Sequence, residues 1–204
     1  MSVPLVGICL AGCGARERRQ GEVFAAYLCT LAGVQPFPAA LPDWDLPNEA
    51  FEPAPRSIHR LVESRVAAGW QRWGWKSADE LRKTLPDVQP TAAFDLMSRV
   101  GSTEPVHIPP ALLPPAVSVD YVSPAVLKSI FDGTADGWSR FHERFPRGGL
   151  LTAFSPVGFS ADGSQAVFYA DVSCGSLCGS GYGVLMHRVK AGWQVADHRQ
   201  LWVS

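Results

Sequence analysis

The sequence lacks any apolar run approaching the ~18 residues that a membrane-spanning helix needs, so no stretch reads as a permanent crossing of a bilayer. An excess of charge is also missing. Eighteen basic against 19 acidic residues leave a formal net charge of -1, which removes the electrostatic case for nucleic acid as a partner and for a polybasic membrane patch. Two chemical signatures are absent as well. The glycine-rich stretch Gly179-Ser180-Gly181-Tyr182-Gly183 leads into a strand pattern, whereas a phosphate-binding loop must lead into a helix amino terminus. Gly158-Phe159-Ser160-Ala161-Asp162 has no second glycine to make a nucleophile elbow. No cofactor is implied.

The chain is rich in turn formers instead. The chain holds 19 Gly and 17 Pro, and 13 of the prolines fall between residues 33 and 115, so that region reads as loop-rich, while 47% apolar content suffices for an ordinary core in 204 residues. The last quarter, residues 150–204, shows four runs of alternating apolar and polar residues separated by turn signals. Ala161-Asp162-Gly163 closes the first hairpin and Lys190-Ala191-Gly192 the last. The fold class expected is α+β: a four-stranded antiparallel meander at the carboxy terminus covered by amino-terminal helices.

Helical periodicity precedes the meander. Val23, Phe24, Tyr27, Leu28 and Leu31 predict a helix over 21–32, and Ile58, Leu61, Val62 and Val66 predict another over 56–68. Ser77 with Glu80 forms a capping box for a helix ending at Leu85, a short helix follows over 91–100, and Ser123-Pro124 starts one that runs to Phe131. The proline-rich stretch 105–115 reads as an extended strap, and Val117, Val119 and Tyr121 alternate as a strand. Trp138, Phe141, His142 and Phe145 place an aromatic stripe on a helix facing the meander. Asp43 and Asp45 flank Trp44 in a loop setting and read as solvated. Trp70, Trp73 and Trp75 either face a ligand as stacking surfaces or plug a small core.

At the amino terminus an apolar stretch ends in Leu10-Ala11-Gly12-Cys13 and gives way to Gly14-Ala15-Arg16-Glu17-Arg18-Arg19-Gln20. This junction resembles a bacterial lipobox, although no Lys or Arg precedes the apolar run. The alternative is a buried first strand over 3–10. The lipobox resemblance implies removal of residues 1–12 and acylation of Cys13, with 13–20 as a tether. The remainder divides into a helical, Pro-rich region, 21–135, and a helix plus meander, 136–204, packed together as one domain.

A second resemblance rests on Trp138-x-x-Phe141, Phe145-Pro146, Ser155-x-Val157-Gly158-Phe159, Asp162-Gly163-x-Gln165-Ala166, Cys174-Gly-Ser-Leu-Cys178-Gly, Gly192-Trp193 and Trp202-Val203-Ser204. The ensemble resembles a carboxy-terminal pattern of uncharacterised bacterial lipoproteins. It implies a lipid-anchored, periplasm-facing envelope protein whose partners are the membrane, through its anchor, and an envelope protein or small ligand. It carries no catalytic residues. Pro156 departs from the pattern and puts its strand at an edge or a bulge.

Cys174 and Cys178 admit three readings. In an oxidising compartment a local disulfide is the first; a zinc site shared with Cys9 and Cys13 is the second; a reactive Cys178 with His187 or His198 as base is the third. The expected function is therefore a binding or structural envelope module without enzymatic activity. The rival is an envelope hydrolase or thiol enzyme built on the Cys174–Cys178 loop.

Overall fold

A computed structural model describes residues 7–31, 58–66, 74–115, 117–132, 136–146 and 150–204. The elements are α1 (Gly7–Leu31), β1 (Ile58–Glu63), α2 (Ala78–Thr84), α3 (Pro90–Met97), β2 (Val117–Val122), α4 (Pro124–Phe131), α5 (Gly137–Arg144), β3 (Leu151–Phe154), β4 (Gly158–Phe159), β5 (Gln165–Gly175), β6 (Cys178–Val189) and β7 (Gly192–Val203). Among the described residues no helix is long and apolar enough to cross a membrane.

The α+β class holds, but the sheet is larger than the expected meander and of mixed direction. Its seven strands run in the order β2-β1-β3-β5-β6-β7, with β4 also pairing β5. β2, β1 and β3 are mutually parallel, while β3, β5, β6 and β7 are antiparallel. The hairpins of the carboxy-terminal half fall where the turn residues placed them. Gly163 has a φ of 69°, and Asp162 accepts hydrogen bonds from Ser160 Oγ at 2.6 Å and Ser164 N at 3.0 Å.

The helix expected over 56–68 is the central parallel strand β1. Its Leu61 and Val62 are both buried but point to opposite faces, and a strand buried on both faces loses the alternation that identifies a half-buried one. The spacing of Ile58, Leu61 and Val62 then mimics a helical stripe. The 117–121 alternation is β2 as expected, and the 105–115 strap is interrupted by a short 3-10 turn at Pro110–Leu112.

Pro156 splits the run into β3 and β4, and among the described residues β4 pairs with β5 alone, so this half of the run lies at an edge. Ser155 repairs the ladder at the break. Its Oγ accepts from Tyr169 N at 2.9 Å and donates to Pro156 O at 2.7 Å, while Ser155 N donates to Tyr169 O at 2.9 Å.

Helices cover both faces. On one, α1 buries Val23, Phe24, Tyr27 and Leu28 against Val62, Phe154, Phe168, Val184 and Met186, with Phe24 stacked on Phe154 at 4.2 Å. On the other, α2 and α3 pack on Val167, Tyr169 and Leu185, while α4 and α5 pack on Leu61 and Val122. The aromatic stripe of α5 therefore packs on the face of Leu61 and Val122, opposite the one that carries Phe168 and Met186. Phe141 is fully buried there, Trp138 is half-buried and His142 is exposed. Residues 14–20, expected to belong to a tether, lie within α1. Arg16 pairs with Asp95 and donates to Val157 O, both at 2.7 Å, and Gln20 Oε1 accepts from Val157 N at 3.0 Å.

Candidate functional site

Cys174 and Cys178 bracket the tip of the β5–β6 hairpin. β5 slips register between Ser173 and Gly175, and the two cysteines are paired as a disulfide with their Cα atoms 5.1 Å apart. Leu177, at the tip between them, is 86% exposed. With both sulfurs taken, the zinc reading has no thiolates to draw on from this pair. Cys29 is free but buried, and burial pushes its thiol pKa up.

The bases suggested for Cys178 are also elsewhere. His187 is nine residues along β6, about 30 Å away at ~3.3 Å per residue, and is hydrogen-bonded to Gln165 Nε2 at 3.0 Å. His198 is buried, hydrogen-bonded to Tyr27 OH at 2.9 Å and stacked on Tyr182 at 4.5 Å. His142 does reach the clasp, at 3.2 Å from Cys174 O, so it supports the hairpin backbone rather than a sulfur.

The glycines after the clasp serve packing. A side chain at Gly181 would collide with the Trp202 indole nitrogen and, at 2.5 Å, with the Tyr169 hydroxyl; one at Gly183 would run into the ring of Trp75. Of the three candidate ligand-facing tryptophans, Trp75 is 2% exposed and belongs to the α2–α3 core, which selects the core reading for it. Trp70 and Trp73 lie outside the described residues, as do Asp43 and Asp45. Cys13 falls within α1, and its side chain is outside the described set.

Two polar groupings that no sequence motif marked lie on the sheet face carrying α2 to α5. In the first, Ala153 on β3, Asp171 on β5 and Gly181 on β6 are register partners, and extending the β1–β3 register by one residue sets Glu63 on β1 in the same row. Asp171 accepts from Tyr169 OH at 3.2 Å and Ser173 Oγ at 3.0 Å, and Trp202 Nε1 donates to the same Tyr169 oxygen at 2.8 Å. Burial raises the Asp171 pKa despite these bonds; burial and then the Asp171 charge raise that of Glu63.

The second grouping is Ser118, His59 and Asp120. His59 on β1 and Ser118 on β2 are register partners, and Asp120 follows two residues on, on the same face. His59 Nδ1 is 2.9 Å from Ser118 Oγ, and its Nε2 is 3.3 Å from Asp120 Oδ2. The Asp120 side chain is 67% exposed and that of His59 22%. A serine and an aspartate two apart on a strand is too common a pattern to single out. The histidine joins them only through the parallel pairing of β1 with β2, which was invisible while β1 read as a helix.

Among the described residues no group of three or more His, Cys, Asp or Glu side chains is gathered to hold a metal ion. Compared with known proteins, the chain matches no family model, no curated protein and no solved structure.

Proposed function

We propose that the chain is a binding or structural body of the bacterial cell envelope, facing the periplasm and anchored by lipid on Cys13. The Cys174–Cys178 loop is then a structural clasp and not a thiol centre. The observation that carries this reading is the clasp itself: two cysteines joined across an exposed hairpin tip suit an oxidising compartment, where such bonds persist. The lipobox-like Leu10-Ala11-Gly12-Cys13 points to the same compartment.

Docking of α1 changes what the anchor would do. Arg16 is three residues beyond Cys13, or about 4.5 Å along a helix, so the lipid would hold the folded body close to the bilayer rather than on a flexible leash. Several acyl chains on one cysteine give firm attachment, because each buried methylene contributes ~0.8 kcal/mol. The ligand surface that fits this reading is the pair of half-buried acids Glu63 and Asp171.

Non-reducing peptide mapping of protein taken from its native host tests the reading. Cys174 and Cys178 should be recovered in one linked fragment. Free, alkylatable thiols at both positions in the native material would overturn it.

A further inference from the structure

We propose that Ser118, His59 and Asp120 form a second, unassigned site that hydrolyses carboxylic esters. This activity is independent of the anchoring and the clasp.

The roles follow from which groups can accept. The Asp120 carboxylate offers only acceptors and faces His59 Nε2 at 3.3 Å, which favours the tautomer with the proton on Nε2. In the neutral ring Nδ1 is then the acceptor, and the Ser118 hydroxyl, 2.9 Å away, donates to it. A serine hydrogen bonded to an imidazole whose other nitrogen faces a carboxylate is the arrangement that makes a hydroxyl nucleophilic.

The edge of the sheet supplies the third requirement, a donor for the developing oxyanion. Ser64 N donates to Val122 O at 2.9 Å, and alternation of the parallel ladder then turns the peptide groups of residues 118, 120 and 122 toward β1. Val119 therefore directs its N–H away from the sheet. Among the described residues no strand pairs with that side of β2. The N–H of the residue after the nucleophile is a position from which an oxyanion can be bound.

The step balances without a cofactor. Ser118 Oγ bonds to the ester carbonyl carbon as its proton passes to His59 Nδ1. The bond from carbon to the alkoxy oxygen breaks, and the same proton leaves with the alcohol. Water then gives a proton to His59 and attacks the acyl carbon, the Oγ–acyl bond breaks, and Ser118 regains its proton. The net reaction is ester plus water to acid plus alcohol. Ser118 and His59 are the catalytic residues; Asp120 positions His59. Exposure of the group on an open strand edge suits small or flexible acyl chains rather than a ligand that needs enclosure.

The test uses the purified full chain with p-nitrophenyl acetate as substrate and a fluorophosphonate as covalent probe. Label should appear at Ser118 and be lost in Ser118→Ala, and hydrolysis should fall about 100-fold or more in Ser118→Ala and His59→Gln, the scale of general-base assistance. Asp120→Asn should lower kcat with KM unchanged, and Asp120→Glu should restore part of it, which a merely structural role would not give. All these positions lie on the surface side of the β1–β2 edge, so circular dichroism should show the fold unchanged in each variant. Absence of label on the folded wild-type chain, or equal hydrolysis by wild type and Ser118→Ala, would overturn the assignment.

Discussion

Replacing Phe141 by Ala tests how α4 and α5 are held to the sheet. The ring is fully buried and meets Phe145 at 5.1 Å, Trp138 at 5.2 Å and Phe131 at 6.0 Å between centroids, over a floor of Leu61, Val122 and Ile130. Truncating a buried Phe removes its transfer free energy and leaves a cavity, together about 3–5 kcal/mol. Each kcal/mol moves the melting point of a chain this size by roughly 2–4 °C, so Phe141→Ala should melt on the order of 10 °C below wild type. Trp138 is only half-buried, and Trp138→Ala should cost clearly less. Urea unfolding monitored by circular dichroism reads both values, with an unchanged m-value showing that the unfolded state is unaltered. A loss below about 1 kcal/mol for Phe141→Ala, or a larger one for Trp138→Ala, would refute the packing of this face.

Gly158→Ala would drive a methyl group into the backbone of α3, onto Ala92 O and within 2.6 Å of Leu96 N; it should destabilise by ~1–3 kcal/mol, and an unchanged urea midpoint would show that α3 is not seated on β4. Burial lowers the His198 pKa to about 4 from an ordinary 6.5, so the folded chain binds fewer protons there than the unfolded one. The stability from His198 is complete above pH ~6.5 and lost as pH falls toward 4, by about 3 kcal/mol in total. The difference in urea midpoint between wild type and His198→Gln should vary with pH over that window; a constant difference would remove the buried neutral histidine. Glu63 and Asp171, with raised pKa values, act in the opposite direction, losing stability as pH rises through their range, and they cancel in that difference. Replacing Cys174 and Cys178 together by Ser should cost only about 2 kcal/mol, since the loop closed is short; loss of folding would mean that the clasp holds more than the hairpin.

What was legible in the chain was what local rules encode. The turn residues Asp162-Gly163 and Gly192 set the hairpins, the Ser77 and Ser123 caps start α2 and α4 with hydroxyls accepting from Glu80 N at 3.1 Å and Val126 N at 3.3 Å, and the period of Val23 to Leu31 marks the core face of α1. What was not legible depends on partners distant in sequence. β1 is a strand because β2 and β3 flank it, and its two-faced burial erased the alternation that would have revealed it. The site depends on the same pairing: His59 meets Ser118 only across that ladder, 59 residues apart. Glu63 and Asp171 likewise share a row only because β3 lies between them. The α5 stripe was periodic enough to predict burial, but no pattern within a helix says which face of a sheet it will cover.

The intact mass of the mature protein, purified from membranes of its native host, reports cleavage, acylation and the disulfide together. It should match a chain beginning at Cys13, carrying acyl groups on that residue, and two hydrogens lighter for the Cys174–Cys178 bond. A chain that keeps residues 1–12 with an unmodified Cys13 would contradict the lipid anchor.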